Sequence, residues 1–209
     1  AMTSSFTSML LTGLLIFDKR DDKKALVDEI ARTCQEILAD KEKIENLVNF
    51  DFERIIYLGS GPLYRLTDEA RLKVLELTGG KIASLFESSM GFRHGPKSFV
   101  NDKTLVVSFV SSNPYTSQYD LDILDETYAD KIAPRIIAIA NEEINGDFEK
   151  LIYKNQINED IYLALPYIVI AQLISLITSL RVENTPDNPS KSGTVNRVVK
   201  GVSIHEYEK

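Results

Sequence analysis

The residues whose types and spacing could carry chemistry are Arg71, Lys73 and Glu76, on one expected helix, and His94, in a glycine-rich loop. Lys73 and Glu76 stand three residues apart, which puts both on one face of a helix. Such a pair reads either as a surface ion pair, contributing roughly 0.2–0.5 kcal/mol, or as a carboxylate and an ammonium held together for chemistry. His94 lies in Gly91-Phe92-Arg93-His94-Gly95-Pro96, a loop bracketed by glycine and proline. Loops of that kind concentrate functional residues, and histidine is the side chain that most readily exchanges a proton at neutral pH. The other reading is a ring that caps a neighbouring carbonyl. Leu58-Gly59-Ser60-Gly61 is a glycine turn that could bring backbone N–H groups to an anion at a helix N-terminus, although glycines also serve plain turn geometry. A polar stretch, Asn188-Pro189-Ser190-Lys191-Ser192-Gly193-Thr194, runs into Val195, Val198 and Val199, which suggests an ordered segment rather than a loose end. His205, between Ile204 and Glu206, is expected to be structural or solvated.

The elements that must position these groups can be read from periodicity. An apolar run follows the hydroxyl-rich opening Thr3, Ser4, Ser5 and Thr7, and predicts a buried helix over residues 1–17. Stretches 23–38 and 41–50 are amphipathic helices. Residues 54–58 form a short apolar strand that ends in the glycine turn. A helix over 67–78 follows, with Thr67 as N-cap, Asp68 and Glu69 in its first turn and Gly79-Gly80 as its stop. Further strands are expected at 81–87, 104–110, 135–140 and 148–153. Helices are expected at 116–130 and 161–182. Strands that are apolar throughout, alternating with helices, imply a three-layer α/β/α sandwich with a mainly parallel sheet of about five strands. Its ligand would sit at the carboxyl ends of the strands.

Composition narrows the function. The chain has 209 residues, a formal net charge of -7 and 44% hydrophobic residues. That is enough to bury a core, and the acidic balance argues against a nucleic-acid partner. A single cysteine, Cys34, permits no intrachain disulfide; it is expected to be a buried or half-buried apolar side chain in a reducing, cytoplasmic setting. No charged stretch precedes an apolar one in the manner of a signal peptide. The apolar run over 161–180 has the length of a membrane span but carries Pro166, Gln172, Ser175, Thr178 and Ser179, so a core helix is expected and no membrane partner.

Taken together, Tyr57-Leu-Gly-Ser-Gly61, Ala70-Arg-Leu-Lys-Val-Leu-Glu76 and Phe92-Arg-His-Gly-Pro96 resemble the second SIS (sugar isomerase) domain of double-SIS sugar isomerases. Gly91–Pro96, Asn113-Pro-Tyr-Thr116, Gln118-Tyr-Asp-Leu-Asp122 and Gly193-Thr-Val-Asn-Arg-Val-Val199 are similar to the tagatose-6-phosphate ketose/aldose isomerase, or galactosamine-6-phosphate deaminase/isomerase, family. The resemblance implies that Glu76 shuttles a proton between C1 and C2 of an open-chain sugar phosphate and that His94 assists ring opening from a neighbouring subunit. It places Lys73, Arg93, Gly59 and Ser60 near the sugar phosphate. Thr3 and Ser4 would lie where a preceding domain ends, and Lys191 in a C-terminal lid.

The same resemblance implies no cofactor and no metal, a homo-oligomer with shared sites, and three regions. These are residues 1–20 as the last helix of a preceding SIS domain, 21–182 as the second SIS domain, and 183–209 as a C-terminal active-site segment. The family's serine-rich phosphate loop belongs to its first domain and is not found in this chain. Two other readings stand beside the enzyme. One is a sugar-phosphate-sensing SIS module without turnover; the other is an assembly domain that uses the apolar helix at 161–180 as an interface.

Overall fold

The computed structural model describes residues 2–193, 195 and 201–207. Thr194 and residues 196–200, with the Val198 and Val199 of the expected ordered tail, lie outside the described residues. Among the described residues five strands form one sheet: β1 (Arg54–Gly59), β2 (Ala83–Ser88), β3 (Thr104–Phe109), β4 (Arg135–Ala140) and β5 (Glu149–Ile152). Their order is β2-β1-β3-β4-β5, and every pairing is parallel. The expected three-layer α/β/α sandwich is therefore the observed fold.

Alternation along the strands separates two cores. Ile55 and Tyr57 of β1, with Leu105, Val107 and Phe109 of β3, pack beneath four helices. These are α2 (Lys23–Ala39), α3 (Lys41–Val48), α4 (Pro62–Leu77) and α7 (Asp160–Arg181). Ile56, Leu58 and Val106 face the other way, onto the short α5 (Ser89–Phe92), a 3-10 turn at Pro96–Phe99 and α6 (Pro114–Ala129). Because β1 is followed on one face by α4 and β3 on the other by α6, the chain reverses direction in the sheet between β1 and β3. A crevice opens there, at the carboxyl ends of those strands.

Two helix starts and the burial of one helix differ from the sequence reading. Helix α4 begins at Pro62, not at Thr67. Proline's fixed φ suits the first helical position, where its missing N–H costs nothing. Thr67 is fully buried one turn inside and donates its hydroxyl to the Tyr64 carbonyl at 2.6 Å. Helix α6 likewise starts at Pro114, capped by the Asn113 side chain, which accepts from the Tyr115 and Thr116 amides. The opening helix, α1 (Ser4–Phe17), has no buried residue, and Met9, Ile16 and Phe17 are 70, 69 and 84% exposed. Its apolar sequence suggests burial, yet within this chain only one side of it meets the rest.

Helix α7 is long and apolar enough to cross a membrane by length and composition, but most of it is buried within the fold. Its apolar surface lies against α2, α3, α4 and the sheet. That use leaves little of it for the assembly interface considered above. Cys34 is half-buried, and burial raises its thiol pKa.

Candidate functional site

Helix α4 carries the first part of the site. Leu63, Leu66, Ala70, Val74 and Leu77 repeat at helical spacing and turn its apolar stripe inward, so the helix is fixed along its length. Lys73 comes from the same inward arc and is only 3% exposed. An ammonium so deeply placed needs carboxylates. Its Nζ donates to Glu76 Oε2 at 2.6 Å, and Glu69 Oε1 lies 3.4 Å away. Burial pushes the Glu69 carboxyl up, against the pull of Lys73. The pair read from the sequence is thus part of a triad, Glu69–Lys73–Glu76, built around a buried lysine, with the Glu69 and Glu76 side chains 14% and 33% exposed.

The end of α4 then meets the segment that follows α7. Gly79 closes the helix with φ of +59°, and a Cβ there would sit 3.0 Å from the Pro189 carbonyl oxygen. Asn184 Nδ2 donates to the Leu77 carbonyl at 2.7 Å and to that of Pro189 at 3.2 Å. Lys81 Nζ donates to the Val182 carbonyl at 2.6 Å. Residues 182–189 are therefore docked on the Glu76 end of α4, with exposed Lys191 two residues beyond.

The histidine loop is built differently. The Ser88 hydroxyl caps α5 by accepting from the Gly91 amide at 3.0 Å, and the Glu87 carboxylate accepts from the Ser88 amide at 2.7 Å. A Cβ on Gly91 would come within 2.6 Å of Ser88 Oγ and 2.7 Å of Glu87 Oε1, so any larger residue would have to displace both side chains. Phe92 anchors the turn in the core on the α6 side of the sheet. His94 itself is exposed, and its amide donates to the Gly91 carbonyl at 3.0 Å. Arg93 points to α6 instead of solvent, with its Nε 2.9 Å from Glu126 Oε2.

Glu76 and His94 are not brought together within one chain. Glu76 belongs to the layer of α4 and α7, His94 to the layer of α5 and α6, and the sheet lies between. Thr3 and Ser4 open α1, where Thr3 makes no side-chain cap bond. That helix is tied down at its far end, where Asp18 accepts from Tyr162, from Arg20 Nε at 2.5 Å and from the Arg20 amide at 2.9 Å.

The crevice between β1 and β3 is filled by the chain's own carboxylates. Asp120, fully buried on α6, accepts from the hydroxyls of Ser60 and Ser89, both at 2.5 Å, and from the Ser111 amide at 2.9 Å. Asp160 of α7 accepts from the Ser111 hydroxyl at 2.5 Å, the Ser112 amide at 2.7 Å and the Ser112 hydroxyl at 2.8 Å. Burial pushes the Asp120 carboxyl up, opposed by those three donors. The turn Gly59-Ser60-Gly61 thus offers its serine to an internal anion. Sequence reasoning missed Glu69, Asp120 and Asp160; only Glu69, four residues before Lys73, carried a readable spacing. Among the described residues no group of three or more His, Cys, Asp or Glu side chains is placed to hold a metal ion.

No family model matches the chain. It is 45% identical over 213 aligned residues to the D-galactosamine-6-phosphate deaminase AgaS of Escherichia coli O157:H7, covering all of this chain and 56% of that protein. The corresponding protein of Shewanella sp. ANA-3 is 40% identical over 210 residues, covering all of this chain and 52% of the relative. Among solved structures, the tagatose-6-phosphate ketose/aldose isomerase of Escherichia coli superposes with a TM-score of 0.88 at 41% identity, over all of this chain and 55% of that one. The chain spans about half the length of the curated relatives it matches.

Proposed function

We propose, for a chain related along its whole length to the C-terminal half of the galactosamine-6-phosphate deaminases and tagatose-6-phosphate isomerases, that it supplies the proton-transfer half of a sugar-phosphate isomerase/deaminase site. The observation that carries this reading is the Glu69–Lys73–Glu76 triad around a buried lysine, with Glu76 the more open of its two carboxylates. Two carboxylates share one ammonium there. One of them can gain and lose a proton while the other keeps the lysine paired, which is what a base that must return its proton requires.

The steps are those that the resemblance implies, and the residue types suit them. His94 moves a proton between the ring oxygen and O1 to open the pyranose. Glu76 removes the proton from C2 of the open-chain aldehyde and delivers it to C1 through an enolamine, leaving an imine at C2. Water adds to that imine and ammonia departs, giving the ketose 6-phosphate. With a hydroxyl in place of the amine, the same transfer is a plain aldose–ketose isomerisation. Because the sheet separates Glu76 from His94, the histidine that serves one Glu76 comes from a second copy of the chain, and the assembly is a homo-oligomer with shared sites. Lys73 holds Glu76 in place, and Lys191 closes over the sugar from the docked C-terminal segment. Ser60 is spent on Asp120, so the substrate phosphate is bound by residues that the relatives carry outside the matched half.

Ammonia release from galactosamine 6-phosphate by the full-length protein tests the reading. The parent should release it, and Glu76→Gln should fall by about 10²–10⁴-fold, the usual worth of a positioned acid–base group. If galactosamine 6-phosphate, glucosamine 6-phosphate and tagatose 6-phosphate are all inert, the enzymatic reading falls and a sensing module takes its place.

A further inference from the structure

His94 is exposed, and among the described residues none is seen to hold its ring, yet the charged side chains on either side of it are gripped by one carboxylate. Glu126 projects from α6, which is anchored beneath it by buried Ile123, Leu124 and Thr127. Its Oε2 lies 2.9 Å from Arg93 Nε, the residue before the histidine, and its Oε1 lies 2.5 Å from Lys97 Nζ, three residues after it. The Arg93 contact falls short of hydrogen-bond angles, so it acts through charge. Lys97 is held a second time by Asp130 Oδ2 at 2.6 Å. Upstream, the Glu87–Ser88–Gly91 knot and the buried ring of Phe92 fix the chain; downstream, the Ser98 amide donates to the Gly95 carbonyl at 2.9 Å.

We propose that Glu126 is a positioning residue for His94: by holding Arg93 and Lys97 with its two oxygens, it fixes the loop from which the histidine reaches into its site. This rests on the proposed role of His94 in ring opening. The arrangement explains why the arginine of Arg-His-Gly-Pro is turned away from solvent, and it gives Arg93 a task at the site other than touching substrate. Surface ion pairs add little to stability, so the value of this one lies in geometry. A displacement of about 1 Å in a reacting group can cost up to ~10²-fold in rate.

The test uses the full-length protein with Glu126→Gln, which keeps the size and removes the charge, beside Asp130→Asn, which touches only Lys97. Glu126→Gln should lower kcat by about tenfold and leave KM within about twofold, and the Asp130→Asn loss should be smaller. The same change made in a His94→Ala background should cost less than about twofold, because the histidine it positions is gone. Amide hydrogen exchange over residues 93–98 should quicken in Glu126→Gln. Full wild-type kcat, an equal loss in the His94→Ala background, or unchanged exchange each overturns the proposal. Should the parent turn over no sugar phosphate, the enzymatic reading fails, and the exchange comparison decides by itself whether Glu126 holds the loop.

Discussion

Removing the Asp120 carboxylate should separate the effect of shape from the effect of charge in the crevice between β1 and β3. Asp120→Ala strips the acceptor from three donors. Ser89 is fully buried and Ser111 is 4% exposed, so neither can turn to water, whereas the half-buried Ser60 can. Each stranded donor costs about 1–3 kcal/mol, which gives a loss of about 4 kcal/mol. For a domain of this size that corresponds to a fall in Tm of about 8–16 °C. Asp120→Asn should behave quite differently. Its Oδ1 can face the Ser111 amide, which can only donate, while its NH₂ meets the Ser60 and Ser89 hydroxyls, which can rotate to accept. Every partner is then satisfied, no charge is buried, and the loss should be about 1 kcal/mol.

The pH dependence has a definite sign. Burial raises the folded-state pKa of Asp120 above its unfolded value near 3.8. The native state therefore binds its proton more tightly, and the stabilisation is fully present below that unfolded value. It is lost as pH rises through the folded one. The advantage of wild type over Asp120→Asn should be greatest in acid and shrink towards neutrality. Urea unfolding followed by far-UV circular dichroism at several pH values measures all of this. An Asp120→Asn variant as unstable as Asp120→Ala, or an advantage that grows with pH, would refute the reasoning.

Two further expectations concern the loop and the opening helix. Gly91→Ala must push Ser88 and Glu87 aside, so it should leave the far-UV spectrum intact while lowering turnover by roughly tenfold through misplacement of His94; a fully active Gly91→Ala would contradict the tight approach. The Tyr162 hydroxyl, with the Arg20 amide and side chain, lowers the Asp18 carboxyl to about 2 from a value near 3.8. The contribution of Asp18 is thus present above pH 3.8 and is lost as pH falls towards 2, and residues 4–17 should lose exchange protection before the sheet does. Simultaneous loss of both would show that Asp18 does not hold α1.

Much of the architecture could be read from the residues, because strand and helix periods are local. The Lys73–Glu76 pair was visible as an i,i+3 spacing, but its burial was not, since that depends on α7 arriving from a hundred residues later. Thr67 looked like a cap because a hydroxyl precedes two acids. Pro62 won because a proline at the first helical position is already set for the helix, and Thr67 then became interior. The apolar sequence of α1 gave its hydrophobicity correctly and its exposure wrongly, as exposure depends on what lies opposite. Ser60, Ser89, Ser111, Asp120 and Asp160 share a site only through the strand order, so no window of sequence contains them. The same holds for the sheet that stands between Glu76 and His94.

The placement of α7 also bears on how the protein is made. This helix covers the face of the sheet formed by Ile55, Tyr57, Leu105, Val107, Phe109, Ile137 and Ile139, together with the inner side of α4. All of those residues leave the ribosome before it does. A nascent chain that has not yet reached residue 160 can pair its strands but must carry a bare apolar face. Closure also waits on contacts as distant as Arg181 to the Phe50 carbonyl, 131 residues apart, and such non-local contacts form slowly. The period of greatest exposure to aggregation therefore falls during synthesis, before the last core helix arrives.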